Sequence, residues 1–155
     1  MNKKGFTLVE LLAVIAILAI LVIIALPNVL SMYNQARKDT FVTEVRDHFK
    51  AGEQNFLLNS GSSVVYSNLT GVTGAKTLDM NGNKKMQYYI VFDANGKCTQ
   101  LLATNGSFGI KAENLTGISV EQLGDTYKAE EAGNTDFELT LNGATPEIKN
   151  WPSSN

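Results

Sequence analysis

A single carboxylate, Glu10, stands inside a run of residues that otherwise excludes charge. The chain opens MNKKGFTLVELLAVIAILAILVIIALPNVL, and all sixteen residues from Leu11 to Leu26 are apolar. Extending back to Phe6 gives twenty-one residues in which only Thr7 and Glu10 are polar. A carboxylate at membrane depth is expensive, and its retention there points to a function. Elsewhere the residue types that carry catalysis are sparse. His48 and Cys98 are the only histidine and the only cysteine, which excludes a metal cluster built on those ligands, and no phosphate-cradling glycine motif precedes a helix. Asp125, Glu130, Glu131, Asp136 and Glu138 are concentrated in one region. Calcium is the ion they would suit, but without EF-hand spacing they read as a solvated acidic surface. No catalytic residue, metal or cofactor is expected, and the protein is not expected to be an enzyme.

The elements that must position Glu10 follow from composition. At 155 residues the chain has room for one anchor and one domain of ordinary size. The run from Phe6 to Leu26 is about 31 Å long as a helix, close to the hydrocarbon thickness of a bilayer. Ala13, Ala16, Ala19 and Ala25 leave small side chains where other helices can approach. Lys3 and Lys4 lie just before the run and the next charge after it is Arg37, so the short N-terminus stays inside and the rest of the chain lies outside. A secretory signal peptide has an apolar region of only about 7–15 residues and a small-x-small cleavage site, which Ala25-Leu26-Pro27 does not supply. A plain single-pass anchor accounts for the length and the lysines but not for Glu10. With a formal net charge of -2 and no basic run longer than a pair such as Lys3-Lys4 or Lys84-Lys85, a nucleic-acid partner is not expected. One cysteine precludes an intramolecular disulfide, and Cys98 suits a small apolar filler in a strand.

The stretch Lys4-Gly5-Phe6-Thr7-Leu8-Val9-Glu10-Leu11, followed by an unbroken apolar run and Pro27, resembles the prepilin signature of type IV pilins and of the related pseudopilins of type II secretion and competence systems. The resemblance covers about the first thirty residues. It implies that a membrane prepilin peptidase, also the methyltransferase, cuts after Gly5 and that the new terminal Phe6 is N-methylated. The apolar helix would then become the core of a helical filament, put together by membrane assembly machinery from this chain and other pilins. That leads from a single-pass precursor in the cytoplasmic membrane to a fibre on the cell surface, the kind of structure used in adhesion and twitching motility. A pseudopilin is the alternative within the resemblance, and a monomeric membrane-tethered binding module the alternative outside it. The single cysteine departs from the C-terminal disulfide of many Gram-negative type IV pilins.

Cutting after Gly5 would convert an uncharged amide into a cationic amine on Phe6. A carboxylate a few ångströms from such an amine in a medium of intermediate dielectric is attracted strongly enough to offset much of the cost of burying both. The amine of the same helix, four residues away, and that of a neighbouring subunit are both geometrically suitable. Pro27 cannot donate to the carbonyl of Ile23 and its ring clashes there, so a helix kink is expected, with the helical pattern resuming beyond.

Between Asn28 and Leu58 the pattern becomes one-sided. Phe41, Val42, Val45, Phe49 and Phe56 share one side at about 100° per residue, with Arg46, Lys50 and Gln54 directed elsewhere and His48 at the boundary. One helix of about fifty residues, roughly 75 Å, is predicted. Its termination is expected near Asn59-Ser60-Gly61. Residues 62–84 read as a long connecting loop. Met86 to Phe92, the turn Asp93-Ala94-Asn95-Gly96 and Lys97 to Thr104 predict a hairpin. Gly117 to Glu121, Thr126 to Glu131 and Phe137 to Leu141 are further strand candidates. Asn68-Leu69-Thr70-Gly71-Val72 and Asn114-Leu115-Thr116-Gly117-Ile118 echo one another and read as loops entering extended segments; both, like Asn105-Gly106-Ser107, match the glycosylation acceptor pattern. The predicted class is α+β, a type IV pilin fold in which a long N-terminal helix packs on a small antiparallel sheet with one face covered. The organisation expected is a leader over 1–5, a membrane and filament-core helix over 6–28, its continuation packed on the head over 29–58, and a globular head over 59–155.

Overall fold

A computed structural model describes residues 5–58, 62–80 and 86–152. The chain divides into two compact units, Met1–Arg37 and Lys38–Asn155. A 51-residue helix, α1 (Leu8–Leu58), contributes to both. The expected helix stop at Asn59-Ser60-Gly61 and the Lys84-Lys85 pair lie outside the described residues, as do Lys3 and Lys4. The fold is α+β and pilin-like, a long apolar N-terminal helix whose later part packs on antiparallel sheet.

In the second unit, α1 docks through residues three or four apart, the spacing that brings side chains to one face. Phe41, Val45, Phe49, Gly52 and Phe56 are all buried. Phe49 and Phe56 lie 5.8 and 6.0 Å from the ring of Phe92, and Phe41 lies 6.0 Å from Phe108. His48, expected at the boundary of this face, belongs to it, and Arg46, expected away from it, lies at its rim. His48 is buried, its Nδ1 2.7 Å from the Glu44 carbonyl oxygen and its ring 5.0 Å from that of Tyr88. Arg46 donates from Nε and a terminal nitrogen to the Leu123 carbonyl at 2.9 and 2.6 Å. The apolar stem of an arginine packs like a hydrophobe while its head reaches a partner, so polarity alone misplaces it.

The main sheet has five antiparallel strands in sequence order: β1 (Val64–Ser67), β2 (Gln87–Phe92), β3 (Cys98–Thr104), β4 (Phe108–Ile118) and the two-residue β5 (Glu130–Glu131). The β2–β3 hairpin forms at the predicted place, and Asp93 organises its turn by accepting from the Asn95 and Lys97 amides, both at 2.9 Å. Cys98 is buried at the start of β3.

Several expectations are corrected. Residues 62–84 are not all loop, because Val64 to Ser67 pair with β2. That strand has four residues, too few to show alternation. Its neighbours hold it, through Tyr66 against Phe92 and the Ser67 hydroxyl donating to the Tyr88 carbonyl at 2.9 Å. The Gly117–Glu121 candidate is the tail of the longer β4, followed by a 3₁₀ turn at Val120–Gln122. Accordingly, Asn114 to Ile118 lie inside β4, whereas Asn68 to Val72 follow β1 rather than enter a strand. Thr126 to Glu131 contribute only β5.

A further correction concerns layers. Phe137 to Leu141 do not extend the main sheet. Residues Glu138–Asn142 form β6, which pairs only with β7 (Thr145–Lys149) in a separate two-stranded sheet. Successive strand residues face opposite sides, and here both sides are used. Leu101 and Ala103 join the cluster on the α1 side, while Leu102 packs with Phe137, Leu139 and Ile148, and Tyr89 and Trp151 adjoin them. Gly109 permits this second layer, since a Cβ there would lie 2.9 Å from both the Phe137 and Trp151 rings.

Candidate processing and assembly site

Backbone residues 5–7 are not helical, and α1 begins at Leu8. The Gly5–Phe6 peptide therefore lies in open chain just before the helix, with nothing within 4 Å of a Cβ placed on Gly5 and Phe6 90% exposed. A protease needs an accessible, non-helical bond of this kind.

Thr7 caps the helix. Its backbone N–H donates to Glu10 Oε2 at 2.9 Å and its hydroxyl donates to the same oxygen at 2.8 Å. In return the Glu10 N–H donates to Thr7 Oγ1 at 3.2 Å, and the Leu11 N–H reaches the Thr7 carbonyl at 3.2 Å. This is a capping box, in which otherwise orphaned donors of the first turn are satisfied reciprocally. The negative charge also stands at the positive end of the helix dipole. Reading Glu10 only as an ion-pair partner overlooked this role, although the signal is present: Thr-x-x-Glu directly before an apolar run.

Beyond the box, every residue from 5 to 37 is exposed. Leu8, Ile15, Ile20, Ile23 and Leu30 each expose half or more of their surface. Pro27 lies inside α1, which continues through it. The segment is long and apolar enough to cross a membrane, with a mean hydropathy of 3.2 in its most apolar window and none of that window buried within the chain. Such a surface belongs in lipid or against other apolar helices.

The structure thus brings Gly5, Phe6 and Glu10 to one helix end through local geometry, while Phe41, Val45, Phe49 and Phe56 form the core of the other unit. Gly52, central to that core, escaped sequence reasoning. Its signal is its position three residues after Phe49 and four before Phe56. Among the described residues no three His, Cys, Asp or Glu side chains gather as metal ligands. Burial pushes the Cys98 thiol up to about 12, with a smaller opposing effect from its contact with the Gln100 carbonyl.

An exposed, capped, apolar helix of membrane-spanning length behind an accessible Gly–Phe bond, continued into a pilin-like α+β head, fits a membrane-anchored precursor. Residues 1–26 match the prokaryotic N-terminal methylation motif, the class III signal that is the hallmark of type IV pilins and pseudopilins. No curated protein and no solved structure matches the chain.

Proposed function

We propose that the chain is a non-catalytic structural subunit of a type IV pilus. The peptidase cuts after Gly5, Phe6 is N-methylated, and the precursor waits in the cytoplasmic membrane with its N-terminus inside. Subunits then leave the membrane and pack their apolar helices into a filament on the cell surface, with Glu10 compensating the terminal amine. Pro27 bends the helix to fit that packing. The observation that carries the reading is the uninterrupted exposure of residues 5–37 next to the methylation motif. A simple tether needs neither the motif nor a carboxylate at that depth.

The test is to shear filaments from the source cell and measure the intact mass of their subunits. The expected chain starts at N-methylated Phe6. Having lost Lys3 and Lys4, it carries 11 basic side chains (13 - 2) against 15 acidic ones, a balance of -4. A chain that keeps Met1 and stays monomeric in the membrane would establish the tethered module instead. Fibres seen only when a secretion or competence machine is overproduced would assign the chain as a pseudopilin.

A further inference from the structure

We propose that the second unit carries a binding cleft for neutral saccharides, at the seam between its two sheets. The cleft has a volume of about 660 Å³ and lies where the start of β2, the β3–β4 turn and the segments before β6 and after β7 converge. That volume is in the range of small-ligand sites. Its polar lining is dominated by carboxamides, on Gln87, Asn105, Asn134 and Asn150, with carboxylates on Asp136 and Glu138 and no cation among the lining residues. A carboxamide sets donors beside an acceptor, which matches the neighbouring hydroxyls of a sugar ring, each of them donor and acceptor at once. These groups are fixed before any ligand arrives. Gln87 Oε1 accepts from the Leu139 N–H and Asn105 Oδ1 from the Phe108 N–H, both at 2.9 Å. Each oxygen is thereby held, and each amide nitrogen is left without a partner among the described residues. The strand of chain bearing Asp136 is tied on two sides, by Asn150 Nδ2 donating to the Asp136 carbonyl at 2.9 Å and by the Phe137 N–H donating to the Gly106 carbonyl at 2.8 Å. Asn150 reaches that carbonyl from a left-handed backbone, φ 62°, the one such non-glycine residue among those described. Side chains and backbone ordered in this way lose little further entropy on binding. The charges set the ligand class. Glu138 is paired with Lys149 at 3.6 Å, whereas an acidic sugar beside Asp136 would meet a like charge with no cation to offset it. One open cleft binds weakly, but identical clefts repeated along a fibre would hold a polysaccharide by avidity. Only that last step rests on the filament proposed above.

The test passes the full-length chain, in a zwitterionic detergent without a sugar headgroup, over immobilised oligosaccharides. The probes are neutral oligomers of hexose and of N-acetylhexosamine, oligouronates as anions and free glucosamine oligomers as cations, with neutral polysaccharide from the source cell beside them. Retention should be confined to the neutral probes. Binding to the source cell's polysaccharide would place the ligand in its own envelope, and binding to the oligomers alone would place it on a foreign surface. Asn105→Asp and Gln87→Glu each keep the oxygen that holds a backbone N–H and replace the free donor by an acceptor. With an unchanged near-ultraviolet circular dichroism spectrum, each should weaken retention about tenfold, the scale of one hydrogen bond lost with its partner left unsatisfied. Asn142→Asp makes the same charge change in β6 at a residue that does not line the cleft, and should bind like the wild type. The inference would be overturned by retention of no neutral probe, by preference for the oligouronates or the glucosamine oligomers, or by wild-type retention of both cleft variants. An equal loss in Asn142→Asp would also overturn it, by showing that net charge alone is responsible. Neutral-saccharide binding by a chain that is absent from its cell's filaments would leave the cleft standing and overturn the filament reading instead.

Discussion

Gly52→Ala probes how closely α1 approaches the sheet, and the structure sets the sign of its effect. In an exposed helix interior, alanine is more favourable than glycine by about 1 kcal/mol. At position 52 the new Cβ would lie 2.8 Å from Phe92 Cε2, 3.4 Å from its Cζ and 3.5 Å from Tyr66 Cδ2. The Phe92 ring cannot step aside. It is fully buried and flanked by Phe49, Phe56 and Tyr66 at 5.8–6.0 Å between centroids. Overpacking of a dense core costs roughly 1–3 kcal/mol, so the net expectation is a loss of up to about 2 kcal/mol after the propensity gain. Urea unfolding of the detergent-solubilised chain, followed by near-ultraviolet circular dichroism, would read this as a lower midpoint. The control is Phe92→Leu, which replaces the obstructing ring by a smaller, flexible side chain. In that background Gly52→Ala should turn neutral or stabilising by up to about 1 kcal/mol. A clear stabilisation by Gly52→Ala in the wild-type background would refute the close approach.

Phe49→Ala should cost about 3–5 kcal/mol, since Phe49 is buried in the same aromatic cluster; an unchanged unfolding midpoint would show that the ring contributes no packing there. Glu10→Ala should leave membrane insertion and cleavage after Gly5 intact and abolish filaments made of that subunit alone, because each buried amine would lack its partner; filaments of normal abundance would assign the carboxylate another purpose. Cys98 should resist thiol reagents at neutral pH until the chain unfolds, because it is buried and its thiol stays protonated up to about 12. The unfolded thiol ionises near 9, so between about 9 and 12 the unfolded state holds fewer protons and this group's contribution to stability falls as pH rises. Cys98→Ala should flatten that part of the pH–stability curve, and an unchanged slope would show that Cys98 is not its source.

What could be read from the sequence was what contiguous residues decide among themselves. Gly5, Phe6, Thr7 and Glu10 sit next to one another, and the sixteen apolar residues after them are unbroken, so the methylation motif and the membrane-length helix need no tertiary contact to be recognised. The capping box was equally local and was missed because the charge drew attention to an ion-pair partner. The docking stripe was legible because a helix repeats its facing positions every three or four residues. The β2–β3 hairpin was legible because its strands flank a strong turn. The tertiary structure alone decided the rest. Val64 to Ser67 become a strand because β2 offers them an edge. Ile110 and Ala112 face the helix-side core while Lys111 and Glu113 face water, a pattern blurred in the sequence by Gly109 and the turn before it. The second layer of β6 and β7 depends on Phe137 and Trp151 fitting over a glycine some thirty to forty residues earlier. Such contacts arise from shapes meeting across the fold, and no local pattern records which distant surface will cover which. Arg46 and His48 show the same limit, since their burial was set by a carbonyl at Leu123 and a ring at Tyr88, partners that helix periodicity cannot name.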